Sequence, residues 1–208
     1  MAAFLTLLPG VYTFPAQVVP SPPRLTFTKT LKGSFPEYMV VSIDANGNGA
    51  YDSHKLEDPS NPRSMQLSAG TTAQIFSLAE SLNHFRSLAL DSHSKVANLG
   101  LKTLTYQVGE EINKVQYNFT VKPAAQQLTG IFEKISNVEE GITALEYGMK
   151  YDHLSLAQTL RQIQADLDGH NYVEPSLLIP TLEKISTDPR FMHLAQSRAQ
   201  EILRRSQP

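Results

Sequence analysis

The sequence predicts an α+β fold: an antiparallel sheet of two hairpins with one intervening helix, followed by an all-helical C-terminal half of about four helices. Three observations predict it. Apolar residues alternate with period two through 24–54 and again through 101–121. Each alternating stretch is broken by a short glycine-containing turn, which suits a hairpin and is too short for a parallel crossover. After Pro123 the apolar spacing changes to three and four and stays so to the end of the chain.

The chain has 208 residues, 41% of them apolar and 18% charged, enough for a substantial core. Its organisation reads as three parts. Residues 1–23 are a signal-like remnant and a proline-rich linker, 24–122 an antiparallel α+β domain, and 123–208 a helical region packed on or beside the sheet. The apolar run "AAFLTLL" (2–8) is too short to span a bilayer. With Pro9, Gly10 and the small residues after it, it resembles the end of a secretory signal, without the usual basic start. Residues 15–23 read as extended linker. The expected location is periplasmic or secreted, with the cytoplasm as the alternative.

From Arg24, "RLTFTKTL" sets Leu25, Phe27 and Leu31 on one face, with Lys29 the polar exception. "EYMVVSI" is rich in β-branched and aromatic residues, and "AYDS" continues as its partner. Residues 57–64 hold two prolines and read as an irregular loop. Ser68, Thr71 or Thr72 caps a helix carrying Ile75, Phe76, Ala79, Leu82 and Phe85 on one side. A second alternating pair follows, with Leu101, Leu104, Tyr106 and Val108 before Gly109 and Ile112, Val115, Tyr117, Phe119 and Val121 after it.

Beyond Pro123, Leu128, Ile131, Phe132, Ile135, Val138, Ile142 and Leu145 form a long stripe, weakened locally by Gly141 and Gly148. Leu156, Leu160, Ile163 and Leu167 mark a second helix ending at Gly169, a good residue for the position after a helix. A third starts near Pro175. The pair Asp188-Pro189 predicts the start of a fourth, which ends in Arg204 and Arg205.

The segment "SIDANGNGAYDS" (42–53) is the one short stretch with the look of a metal site. Asp44, Asn46, Asn48 and Gly49 match the early positions of a calcium loop, and Asp52 the ninth. The twelfth position requires a bidentate carboxylate, and the sequence has Lys55 there. The flanks are β-rich, where the calcium motif needs helices. Asn46-Gly47 and Asn48-Gly49 are also preferred dipeptides for tight reversals. A hairpin turn is therefore the favoured reading, and a calcium-stabilised domain using Asp44, Asn46, Asn48 and Asp52 the alternative.

Here a resemblance enters. "FPEYMVVSIDANGNGAY", through Pro36, Tyr38, Val40, Ile43, Gly49 and Tyr51, resembles bacterial domains of unknown function. In those, Pro-x-Tyr-x-Val-x-Ile precedes a glycine turn and a tyrosine strand, then a helix and a second hairpin. The likeness covers 27–121. Ile43 falls one place late, and the cysteine pair some of these domains carry is absent. The resemblance implies an exported α+β module of the bacterial envelope and no reaction.

Composition narrows the chemistry. With no cysteine there is no disulfide and no thiolate site, and a net charge of −2 gives no basic face for nucleic acid. The six histidines, including His93 in "DSHSK", form no zinc spacing, and the nucleophile-elbow and phosphate-loop motifs are absent. Glu139-Glu140 reads as a solvated helix edge, since adjacent positions do not face each other. Asn118-Phe119-Thr120 matches a glycosylation sequon. No catalytic group, cofactor, nucleic-acid partner or membrane span of the mature chain is expected. The expected function is a non-catalytic binding or scaffold module with a protein partner. The alternative is a hydrolase whose carboxylate/histidine site is assembled from distant residues. Thermal melting in calcium and in chelator separates the hairpin from the calcium loop: the hairpin gives one midpoint, the loop a higher one in calcium.

Overall fold

The computed structural model describes residues 21–92 and 95–206, so the signal-like run lies outside the described residues. The alternating stretches join into one antiparallel sheet. Its strands are β1 (Arg24–Thr30), β2 (Tyr38–Asp44), β3 (Asn48–His54), β4 (Arg63–Gln66), β5 (Leu101–Val108) and β6 (Glu111–Tyr117), in the order β4-β3-β2-β1-β5-β6. β1 joins the two strand sets: Phe27 pairs with Val41 on one side and with Leu104 on the other. β1 therefore supplies the centre of the core, and Leu25 and Phe27 are fully buried.

The helices are α1 (Ala69–Ser81), α2 (Pro123–Tyr151), α3 (Leu156–Asp168), α4 (Ile179–Thr187) and α5 (His193–Ser206). Ser68 caps α1 by accepting the N–H of Thr71. Pro123 opens α2 at a first-turn position, where a missing N–H costs nothing. The stripe on α2 serves two cores. Leu128, Ile131, Phe132 and Ile135 pack with the sheet and α1, while Val138, Ile142 and Leu145 pack with α3, α4 and α5. Phe132 stacks on Phe27, with ring centroids 5.3 Å apart. No helix among the described residues is long and apolar enough to cross a membrane.

Four local readings are corrected. Residues 57–64 are not irregular throughout, because β4 starts at Arg63; at four residues it is too short to show a period. α1 stops at Ser81 instead of running to Phe85. Asn83, His84 and Phe85 take left-handed angles, with φ of 52°, 49° and 64°. Such angles cost about 1–2 kcal/mol per residue, and the turn brings Phe85, only 2% exposed, into the core. Asp188 ends α4, and α5 begins at His193. Gly169 closes α3 at φ −77°, and His170 takes the left-handed place.

The β2–β3 turn shows why two glycines are needed. Gly47 has φ +83°, open to glycine at no steric cost. Gly49 has no such angle; a Cβ there lies 2.5 Å from the carbonyl oxygen of Ser42. Backbone oxygen cannot step aside, so Gly49→Ala is expected to lower stability by roughly 2–4 kcal/mol, read from the denaturant midpoint.

Candidate binding groove

The sequence-predicted metal ligands separate in the structure. Asp44 Oδ1 accepts the backbone N–H groups of Asn46 and Asn48, each at 2.9 Å, and the Asn48 amide lies 3.3 Å from Oδ2. The turn's own donors thus occupy that carboxylate. Asp52 points into the 55–62 loop instead, accepting from Ser60 Oγ at 2.6 Å and from the Asn61 N–H. Among the described residues no three histidine or carboxylate side chains converge as a metal site.

Concave surface lies at the end of the sheet where β1 leaves and β5 enters. The inward phase of β1 runs Leu25, Phe27, Lys29, so the lysine faces α2. Its Nζ meets Glu133 Oε1 at 2.8 Å. Two depressions, of about 370 and 360 Å³, share this ion pair.

The first is walled by the β1–β2 loop. Ser34 Oγ lies 2.7 and 2.6 Å from the carbonyls of Leu31 and Pro36, which share its one hydroxyl hydrogen, and Leu31 N–H donates to the Glu37 carbonyl. The Glu37 carboxylate accepts the Gly33 and Leu56 N–H groups, which hold its pKa below the usual range. A braced loop thus presents Phe35 almost wholly to solvent, 87% exposed. Met39 and Ser136 form the floor. Ser136 also touches Tyr51, whose hydroxyl burial pushes up to about 12.

The second depression is lined by Leu99, Lys102, Tyr117, Phe119 and the first turns of α2. Thr129 donates its single hydroxyl hydrogen to Ala125, so Tyr117 donates to Thr129, at 2.5 Å. Burial pushes Tyr117 up to about 12. Lys102 is only 7% exposed, and burial first, then Lys29, holds its ammonium below the ordinary lysine range. Leu101 and Val121 are exposed at the same end of the sheet.

The remaining polar clusters among the described residues form no serine–histidine–aspartate relay. Ser60 donates straight to Asp52, and His54 Nε2 stands 3.7 Å from that carboxylate, so no imidazole lies between hydroxyl and acid. His153 Nε2 bonds the Met149 carbonyl at the end of α2. In "DSHSK", His93 and Ser94 lie outside the described residues, and Asp91 accepts the Asn118 N–H. The sequon asparagine uses its side chain on Ala97 and Leu99.

Glu139 corrects the solvated-edge reading. It is 1% exposed and stands 3.4 Å from Arg63 Nε, while the two terminal guanidinium nitrogens grip Glu146. Burial, against the pull of Arg63, raises its pKa to about 7. Adjacent helix positions do diverge: Glu140 turns toward Ser136 and Tyr51, while Glu139 goes under β4. The missing signal was β4 itself.

Sequence reasoning also missed Lys102. Counting back by two from Leu104 puts 102 inward, as counting forward from Phe27 puts Lys29. Leu101, grouped there with Leu104, falls on the other face and is 49% exposed. The chain matches no protein-family model and no curated sequence.

Glu139 makes stability pH-dependent. Its folded pKa lies above the ordinary value of 4.5, so the folded form holds the proton more tightly. That contribution is complete below about pH 4.5 and is lost as pH rises through about 7. The loss is at most roughly 3 kcal/mol. Glu139→Gln is expected to flatten this part of the stability–pH curve and to match or exceed the parent at pH ~8, measured by urea melts.

Proposed function

We propose that this chain is a non-catalytic binding module of the bacterial cell envelope, which takes an extended segment of a partner protein along the rim groove. One observation carries the reading. Phe35 is held in solvent by a hydrogen-bonded loop, beside concavity divided by the Lys29–Glu133 pair. A large aromatic on a braced loop supplies contact area at little entropic cost, and a polar pair inside an apolar groove sets register. Exposed Leu99, Leu101 and Val121 at the same end extend the apolar part of the surface. The envelope address rests on the signal-like start and on the hairpin's resemblance to exported domains.

The hydrolase reading draws on Glu139 and its raised pKa in a cleft. Its Oε2 is sealed from solvent and faces Arg63, so that oxygen is spent inside the fold. Glu140 is open to the groove, but the hydroxyls beside it have no imidazole partner among the described residues.

Selection of random peptides against the protein tests the binding reading. Enriched peptides are expected to lose about tenfold in affinity or more with Phe35→Ala, and nothing with Tyr147→Ala on exposed α2. Absence of enrichment, or binding indifferent to Phe35, overturns it.

A further inference from the structure

Lys102 on β5 stands directly opposite Lys29 on β1, both facing the helices. Like charges directly opposite across strands weaken the pairing. Glu133, which lies between the two depressions, is engaged by Lys29 at 2.8 Å. Lys102 forms no ion pair among the described residues. Its Nζ donates to the backbone carbonyls of Leu99 at 3.3 Å and Asn118 at 3.0 Å. An ammonium has three donors, so one remains without an acceptor among the described residues. Buried charges are ordinarily paired, because desolvation is otherwise uncompensated.

The lining cannot supply the missing partner. Its charged residues are Lys29, Lys102 and Glu133, two cations and one anion, a surplus of one positive charge. Gln126 and Asn118 direct their amides to the Thr120 and Ala97 carbonyls, and Thr129 bonds Ala125 and Tyr117. The wall is the start of α2, whose first turn carries no acidic residue, so the helix dipole has the same sign.

We propose that the depression beside Lys102 is a carboxylate subsite that receives the C-terminal carboxylate of the segment bound in the groove. The identity of that ligand rests on the peptide-binding reading; the anion site itself rests on Lys102. A single surplus charge suits a monoanion, and Glu133 on the wall disfavours a phosphate dianion. Leu99, Tyr117 and Phe119 line the same space, so a carboxylate and an apolar side chain on one Cα are accommodated together.

The test uses N-acetyl-leucine, N-acetyl-leucinamide and inorganic phosphate, each titrated against the protein while NMR follows the lysine side chains. The acid is expected to shift the Lys102 signal saturably and to raise the pH at which it titrates. The amide is expected to bind about tenfold more weakly or worse, the loss of one charge-assisted hydrogen bond. In Lys102→Met the accompanying saturable shift of the Lys29 signal, directly opposite on β1, is lost. Equal binding of acid and amide, tighter binding of phosphate, or a Lys29 shift persisting in Lys102→Met overturns the site; the acid–amide comparison needs no variant to fold. The probes contain no partner peptide, so Phe35-dependent peptide selection can fail while the Lys102 shift stands. If selected peptides bind equally with an amidated C-terminus, the peptide assignment falls and the groove remains.

Discussion

The structure depends on one helix serving two cores. α2 spans 29 residues, and its stripe keeps one face from Leu128 to Leu145 while the material against it changes from sheet to helices. The stack of Phe132 on Phe27 sets where along the sheet α2 lies, because both rings are fully buried at the middle strand. With that contact in place, the following turns meet their partners in order: Glu133 over Lys29, Ser136 over Met39 and Tyr51, Glu139 over Arg63. Burial of apolar area supplies the free energy, and the polar contacts along the same helix set the register.

Those polar contacts differ in kind. Lys29–Glu133 is about a third exposed on both sides, so it contributes at most about 1 kcal/mol. Arg63 with Glu139 and Glu146 is half buried and ties the short edge strand β4 to α2. Such a strand has few ladder hydrogen bonds, and the arginine fork gives it a second anchorage. Lys102 is the opposite case: a cation inside the fold whose neighbours are carbonyls, another lysine and the Glu133 carboxylate that Lys29 already engages. Such an arrangement opposes stability, and it lies in the second depression, across the Lys29–Glu133 pair from the one that Phe35 lines.

The Asn-Gly turn shows how one residue pattern serves two chemistries. A calcium loop and a tight reversal both need short oxygen-bearing side chains and glycine. They differ in what the oxygens receive. Asp44 takes backbone N–H groups from its own turn, and Asp52 faces away along β3 to hold the 55–62 loop. Lys55 and the β-rich flanks were the legible evidence for this arrangement, since charge at the closing position and strand propensity are both properties of the chain itself.

The sequence by itself determined the fold class, the two hairpin turns, a helix cap among Ser68, Thr71 and Thr72, and the apolar stripes, because each is governed by neighbours within a few residues and by a single period. Tertiary structure alone decided that the hairpins share β1, that four residues at Arg63 become an edge strand, and that Asn83 to Phe85 turn left-handed. It also decided that Glu139 is buried beside an exposed Glu140, and that Lys29 and Lys102 confront each other across two strands. Those outcomes depend on residues far apart in the chain, whose meeting is set by how α2 seats on the sheet.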